Sequence, residues 1–185
     1  SASCTDGCHT VLIRKQQSDD KPAAACAPAG KNKTLICFSD NLDRAIATFI
    51  LANGAAATGS KVSIFFTFWG LNVIKKKHGP AVKKTLTEKM FAHMLPKSSD
   101  SLALSKMNMM GMGSKMIRGI MKKKNIDSLE SLIRQAMDNG VEFIACQMTM
   151  DMMGIKKEEL LDGVTVGGVA SYMQKAEEAG VNLFI

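Results

Sequence analysis

The sequence predicts an α/β fold: a mostly parallel sheet with helices on both faces. Three observations point there. Short apolar runs, such as Thr34–Phe38 and Val62–Phe68, read as buried strands. Longer segments between such runs have apolar residues at helical spacing. Turn and cap residues separate the two, and strands alternating with helices imply crossover connections.

In order along the chain, Thr34–Phe38 is the first strand, and Ser39-Asp40-Asn41 supplies turn and helix cap. Leu42, Ala45, Ile46, Phe49, Ile50 and Asn53 then recur at helical spacing. Ala52 to Gly59 is small-residued enough for close packing on a sheet. Gly59 ends this helix, and Val62–Phe68 completes a βαβ unit. A later helix spans Ser128–Asn139, capped by Asp127 or Ser128, with Ile126, Leu129, Leu132, Ile133 and Ala136 as its stripe. Val141–Ala145 is the next strand and Val164–Val166 a short one. A last helix over Val169–Ala179 turns Val169, Tyr172, Met173 and Ala176 inward. Gly180 stops it, and Val181–Ile185 is a final strand.

Two segments stand apart. Residues 1–32 read as a flexible, cysteine-containing tail, because Lys21–Gly30 has linker composition. Cys4, Cys8 and His9 there make only a lone C-x3-C, and a zinc site would need Cys26 to fold back as a further ligand. We assign no metal and no cofactor. The globular domain covers 33–185, with a Met- and Lys-rich insertion at about 71–124. From Leu71 to Lys124, thirteen Lys and Arg face only Glu88 and Asp100, a net of +11, so the rest of the +7 chain carries 7 − 11 = −4. Such a segment suits an acidic partner or an anionic lipid surface. Few aromatics and no recognised motif argue against nucleic acid. Six methionines between Leu102 and Met121 suit a flap over a site, a subunit interface, a peripheral membrane contact or core filling.

The 185-residue length and odd count of five cysteines suggest a cytoplasmic protein with reduced thiols. The apolar stretch Val62–Ile74 is too short to span a bilayer, and residues 1–30 lack the apolar core of a signal peptide. Phosphate-loop, metalloprotease and serine-hydrolase motifs are absent, and His9, His78 and His93 are scattered. Cys37 lies inside the first strand and reads as core.

Cys146 is the candidate catalytic residue. It ends the strand Val141–Ala145 and precedes the start of a helix, where open α/β sheets gather reactive groups. Backbone N–H groups there favour the thiolate, the form that attacks. The alternative is a small apolar filler.

Three separated motifs then carry a resemblance: Phe65–Asn72 (FFTFWGLN), Leu104–Met109 (LSKMNM) and Ala145–Ile155 (ACQMTMDMMGI). Over Lys33–Ile185 the chain resembles the DsrE/DsrF-like family, in particular its peroxiredoxin-like subgroup. The resemblance implies a Rossmann-like fold that forms homo-oligomers and serves intracellular sulfur transfer. It further implies that Cys146 carries a persulfide, and the basic segment is then a candidate dock for a rhodanese or TusA-like carrier protein. Two alternatives stay open: a thiol peroxidase, which would need Cys37 or a tail cysteine to resolve it, and a non-catalytic membrane-surface or scaffold subunit.

Overall fold

Five strands form one sheet in the computed structural model, which describes residues 32–77, 98–106 and 112–185. They are β1 (Asn32–Cys37), β2 (Val62–Phe66), β3 (Glu142–Cys146), β4 (Thr165–Gly167) and β5 (Ala179–Phe184). Their order is β4-β3-β2-β1-β5, and every adjacent pair is parallel. A parallel pair needs a crossover, usually helical. Here α1 (Leu42–Ala57) follows β1, and α2 (Met112–Lys123) and α3 (Leu129–Asp138) lie between β2 and β3. Then α4 (Gln147–Met153) follows β3 and α5 (Val169–Glu177) follows β4.

The strand order decides which face each helix covers. From β1 to β4 the chain steps one way across the sheet; the last connection reverses and sets β5 on the far side of β1. Right-handed crossovers running in opposite directions put their helices on opposite faces. The packing agrees. Phe49 of α1 lies against Phe66 and Phe143, with ring centroids 6.2 and 5.6 Å apart. Leu129, Leu132, Ile133 and Ala136 of α3, with Met150 and Met153 of α4, join the same large core. Among the described helices, α5 alone belongs to the second face, where a smaller cluster holds Phe65, Ile144, Cys146 and Tyr172.

Local chemistry fixes the element ends. Ser128 Oγ accepts the Ser131 amide at 3.2 Å, so Ser128 is the α3 cap. Asn53 Nδ2 donates to the Leu132 carbonyl at 3.0 Å and ties α1 to α3. On α5, Tyr172 is the one buried residue, and Lys175 reaches Glu142 of β3 at 2.8 Å.

Several expectations are corrected. The second strand stops at Phe66 and gives way to a 3₁₀ helix over Phe68–Ile74, because the chain folds back onto β1 there. Val169 and Met173, expected inward, are half-exposed at 52% and 50%, since one short helix cannot bury two rows of side chains on this face. Ile126 also stays in solvent, in the loop before α3. The tail through residue 31, and residues 78–97 and 107–111 of the insertion, lie outside the described residues; with them go Cys4, Cys8, Cys26 and all three histidines.

Candidate functional site

A topological switch point forms where neighbouring strands send their connections to opposite faces. Here that pair is β3, followed by α4 on the large-core face, and β4, followed by α5 on the other. Cys146 is the last residue of β3 and pairs in register with Gly167, the last of β4. The sequence-predicted thiol therefore sits at the switch point itself.

Side-chain alternation sets its direction. Ala145 faces the large core, so Cys146 faces the α5 side, among Phe65, Ile144 and Tyr172. The Phe65 and Tyr172 rings pack in a tilted pair with centroids 4.9 Å apart, and Cys146 is only 1% exposed. Cys146 also occupies the cap position of α4 with extended backbone (φ −69°, ψ 114°). Beside it the Thr67 and Thr149 hydroxyls bond each other at 3.1 Å, linking the end of β2 to α4.

The carboxyl end of β2 is built around a close approach. Thr67 N donates to the Cys37 carbonyl at 3.1 Å, and Gly70 N to the Phe38 carbonyl at 2.9 Å. A Cβ on Gly70 would lie 2.0 Å from the Cys37 oxygen, so only glycine fits. The same reversal forces Phe68 to φ +48°, a conformation that costs a bulky residue about 1–3 kcal/mol. Its ring packs at 5.3 Å from Phe38, which lies 5.7 Å from Phe184 of β5.

Sequence reasoning missed the polar residues that brace this end of the sheet. Buried Asn72 donates to Asp40 at 3.0 Å, while its Oδ1 has no partner among the described residues. The Ser105 amide donates to one oxygen of the Asp43 carboxylate at 3.0 Å and its hydroxyl to the other, and the Ala103 carbonyl accepts the first amide of α1 at 2.7 Å. Burial pushes the Asp43 carboxyl up, but the bonds from Ser105 outweigh it and hold it below the usual range. Asn72 and Ser105 both fall inside the quoted motifs, and that was the available signal.

Cys37 is a different kind of thiol. It faces the large core, and burial pushes its pKa up to about 12. It also cannot reach Cys146. Strand β2 lies between β1 and β3, and two strand spacings of about 4.8 Å exceed the roughly 7 Å limit for a disulfide. The two side chains point to opposite faces as well. Among the described residues, no group of three His, Cys, Asp or Glu is placed to hold a metal ion.

The chain is 50% identical over 155 residues to the uncharacterized protein YrkE of Bacillus subtilis, covering 84% of this chain and 97% of that one. It is 37% identical over 156 residues to the sulfur carrier protein DsrE2 of Allochromatium vinosum, covering 84% and 98%. Among solved structures, it aligns with the protein of unknown function MTH1491 from Methanobacterium thermoautotrophicum at 14% identity, with a TM-score of 0.49 and coverage of 83% and 98%. The model of the DsrE/DsrF/DrsH-like family matches residues 29–184, and the chain belongs to that family.

Proposed function

We propose that this protein is a sulfur carrier that holds a persulfide on Cys146 and passes it to an acceptor thiol. The observation that carries this reading is the position of Cys146 at the switch point, inside the Ala145–Ile155 motif. A relative named as a sulfur carrier at 37% identity supports a sulfur-transfer role in general.

The reaction needs no net oxidant. The Cys146 thiolate attacks the outer sulfur of a donor persulfide, a new S–S bond forms on Cys146, and the donor's S–S bond breaks, its electron pair leaving with the donor thiolate. An acceptor thiolate then attacks the outer sulfur of Cys146–S–SH and regenerates the Cys146 thiolate. Donor and acceptor are proteins with a reactive cysteine, of the rhodanese or TusA-like kind. The burial of Cys146 supports a carrier, because a covered persulfide is shielded from stray thiols and oxidants. The separation of Cys37 from Cys146 removes the one described thiol that could resolve a peroxidase intermediate.

The test is to incubate the protein with polysulfide, or with thiosulfate and rhodanese, and read its intact mass. Wild type and Cys37→Ser should each gain sulfur in steps of about 32 Da. Cys146→Ser should gain at least one step fewer, with any remaining sulfur mapped by peptide mass to Cys4, Cys8 or Cys26. Equal loading of Cys146→Ser would end the proposal.

A further inference from the structure

We infer that the outward face of α2 docks on an anionic lipid surface. Met112, Met116 and Ile120 follow one another at four-residue spacing, so they lie within roughly an 80° arc of the helix. Such a stripe normally faces a core. Here it faces outward, with Met112 66%, Met116 54% and Ile120 43% exposed, while Gly113 and Met121 make the buried side.

The charge around the stripe selects the partner. Lys115 and Lys122 lie along one border of it, Lys123 lies within its arc, and Lys124 follows at the end of the helix. All four are exposed, and none has an ion-pair partner among the described residues. From Ser101 to Ile126 there are six Lys and Arg and no acidic residue. The face therefore complements a negative surface.

Lipid suits it better than an acidic protein. Protein hot spots are enriched in aromatics and arginine. No aromatic lies between Leu102 and Ile126, and the one arginine there, Arg118, turns inward to the Ser99 carbonyl (2.7 Å) and Glu130 (3.2 Å). The lysines and unbranched methionines left outside are the groups of an interfacial helix, whose apolar stripe enters the headgroup boundary while the ammonium ends stay at phosphate level. Twelve residues extend only about 18 Å, so α2 lies in the plane of the surface. No helix among the described residues is long and apolar enough to cross a membrane. This inference stands apart from the chemistry of Cys146.

Vesicle flotation tests it, using phosphatidylcholine alone and phosphatidylcholine with phosphatidylserine. The wild-type chain should float with the phosphatidylserine vesicles at low salt, and high salt should release it. Each lysine at the surface contributes about fivefold, so the Lys122→Glu, Lys123→Glu, Lys124→Glu triple variant should lose more than a hundredfold in partitioning. The exposed-stripe variant Met112→Ser, Met116→Ser, Ile120→Ser should lose at least tenfold, with thermal unfolding as the folding check for both. No flotation of the wild type, or equal flotation of either folded variant, overturns the inference. Tighter binding to soluble polyglutamate than to the anionic vesicles also overturns it and assigns the face to an acidic protein.

Discussion

Tyr172→Ala removes the one α5 side chain that the structure buries, together with its hydroxyl contact to Thr34 at 3.1 Å and its ring contact with Phe65. Truncating a buried aromatic costs about 3–5 kcal/mol. Because α5 is the one described helix on its face and follows Gly167-Gly168, we expect that loss to fall on the local opening of α5 that uncovers Cys146. At the lower figure, roughly 3 kcal/mol at 1.36 kcal/mol per decade makes the open state about 150 times more populated. When opening and closing are fast, the rate of Cys146 modification rises in proportion. A timed iodoacetamide pulse followed by peptide mass mapping measures that rate, and Cys37 serves as the internal reference. Cys37 lies on the opposite face with its pKa near 12, so its modification reports whole-chain unfolding. The expected result is faster modification of Cys146 with Cys37 unchanged. An unchanged Cys146 rate, or equal acceleration of both cysteines, would refute the reasoning that α5 is the cover.

Three further outcomes are expected. Gly70→Ala places a methyl 2.0 Å from the Cys37 oxygen and should destabilise the protein by at least about 3 kcal/mol, lowering the thermal midpoint by roughly 6 °C or more. Gly54→Ala, inside α1 with open space around its Cβ, should instead stabilise it by about 0.5–1 kcal/mol in denaturant titration. For Glu142, burial raises the carboxyl pKa, but bonds from Lys175 (2.8 Å) and Ser63 (2.9 Å) hold it below its ordinary value. Its contribution is thus present above the unfolded carboxylate pKa and lost as pH falls through the folded one. With both partners of the Lys175 pair 39% exposed, Glu142→Gln should cost no more than about 1 kcal/mol at pH 7 by chemical denaturation. That deficit should shrink toward zero in acid; a deficit that grows in acid would contradict the assigned direction.

The α/β class was readable because parallel strands are buried on both sides and so leave unbroken apolar runs, as at Thr34–Phe38 and Val62–Phe66. The position of Cys146 was readable as well, because a strand end followed by a helix start is local information. Pairing is not local. Nothing in Val166 or Gly167 announces that β4 lies beside β3, so the switch point had to come from the strand order. Val169 and Met173 were misplaced because helical spacing shows which residues share a stripe, without showing how much surface waits to cover it. Phe68 reads as strand in the sequence because its side chain favours one. The steric demand of the Gly70 approach overrides that preference, and it appears only when β1 and β2 are side by side.

The pairing of β1 with β5 has a consequence for biosynthesis. Thr34 and Asn182, joined side chain to side chain, stand 148 residues apart in the chain. As the ribosome releases the polypeptide in order, β1 can meet β2 early, but its other edge waits until β5 emerges. Contacts of such long sequence separation form slowly. An unpaired apolar edge is also a template for wrong partners. Arrest of translation before Ala179 should therefore leave a nascent chain that binds holding chaperones, and release of the last strand should end that binding.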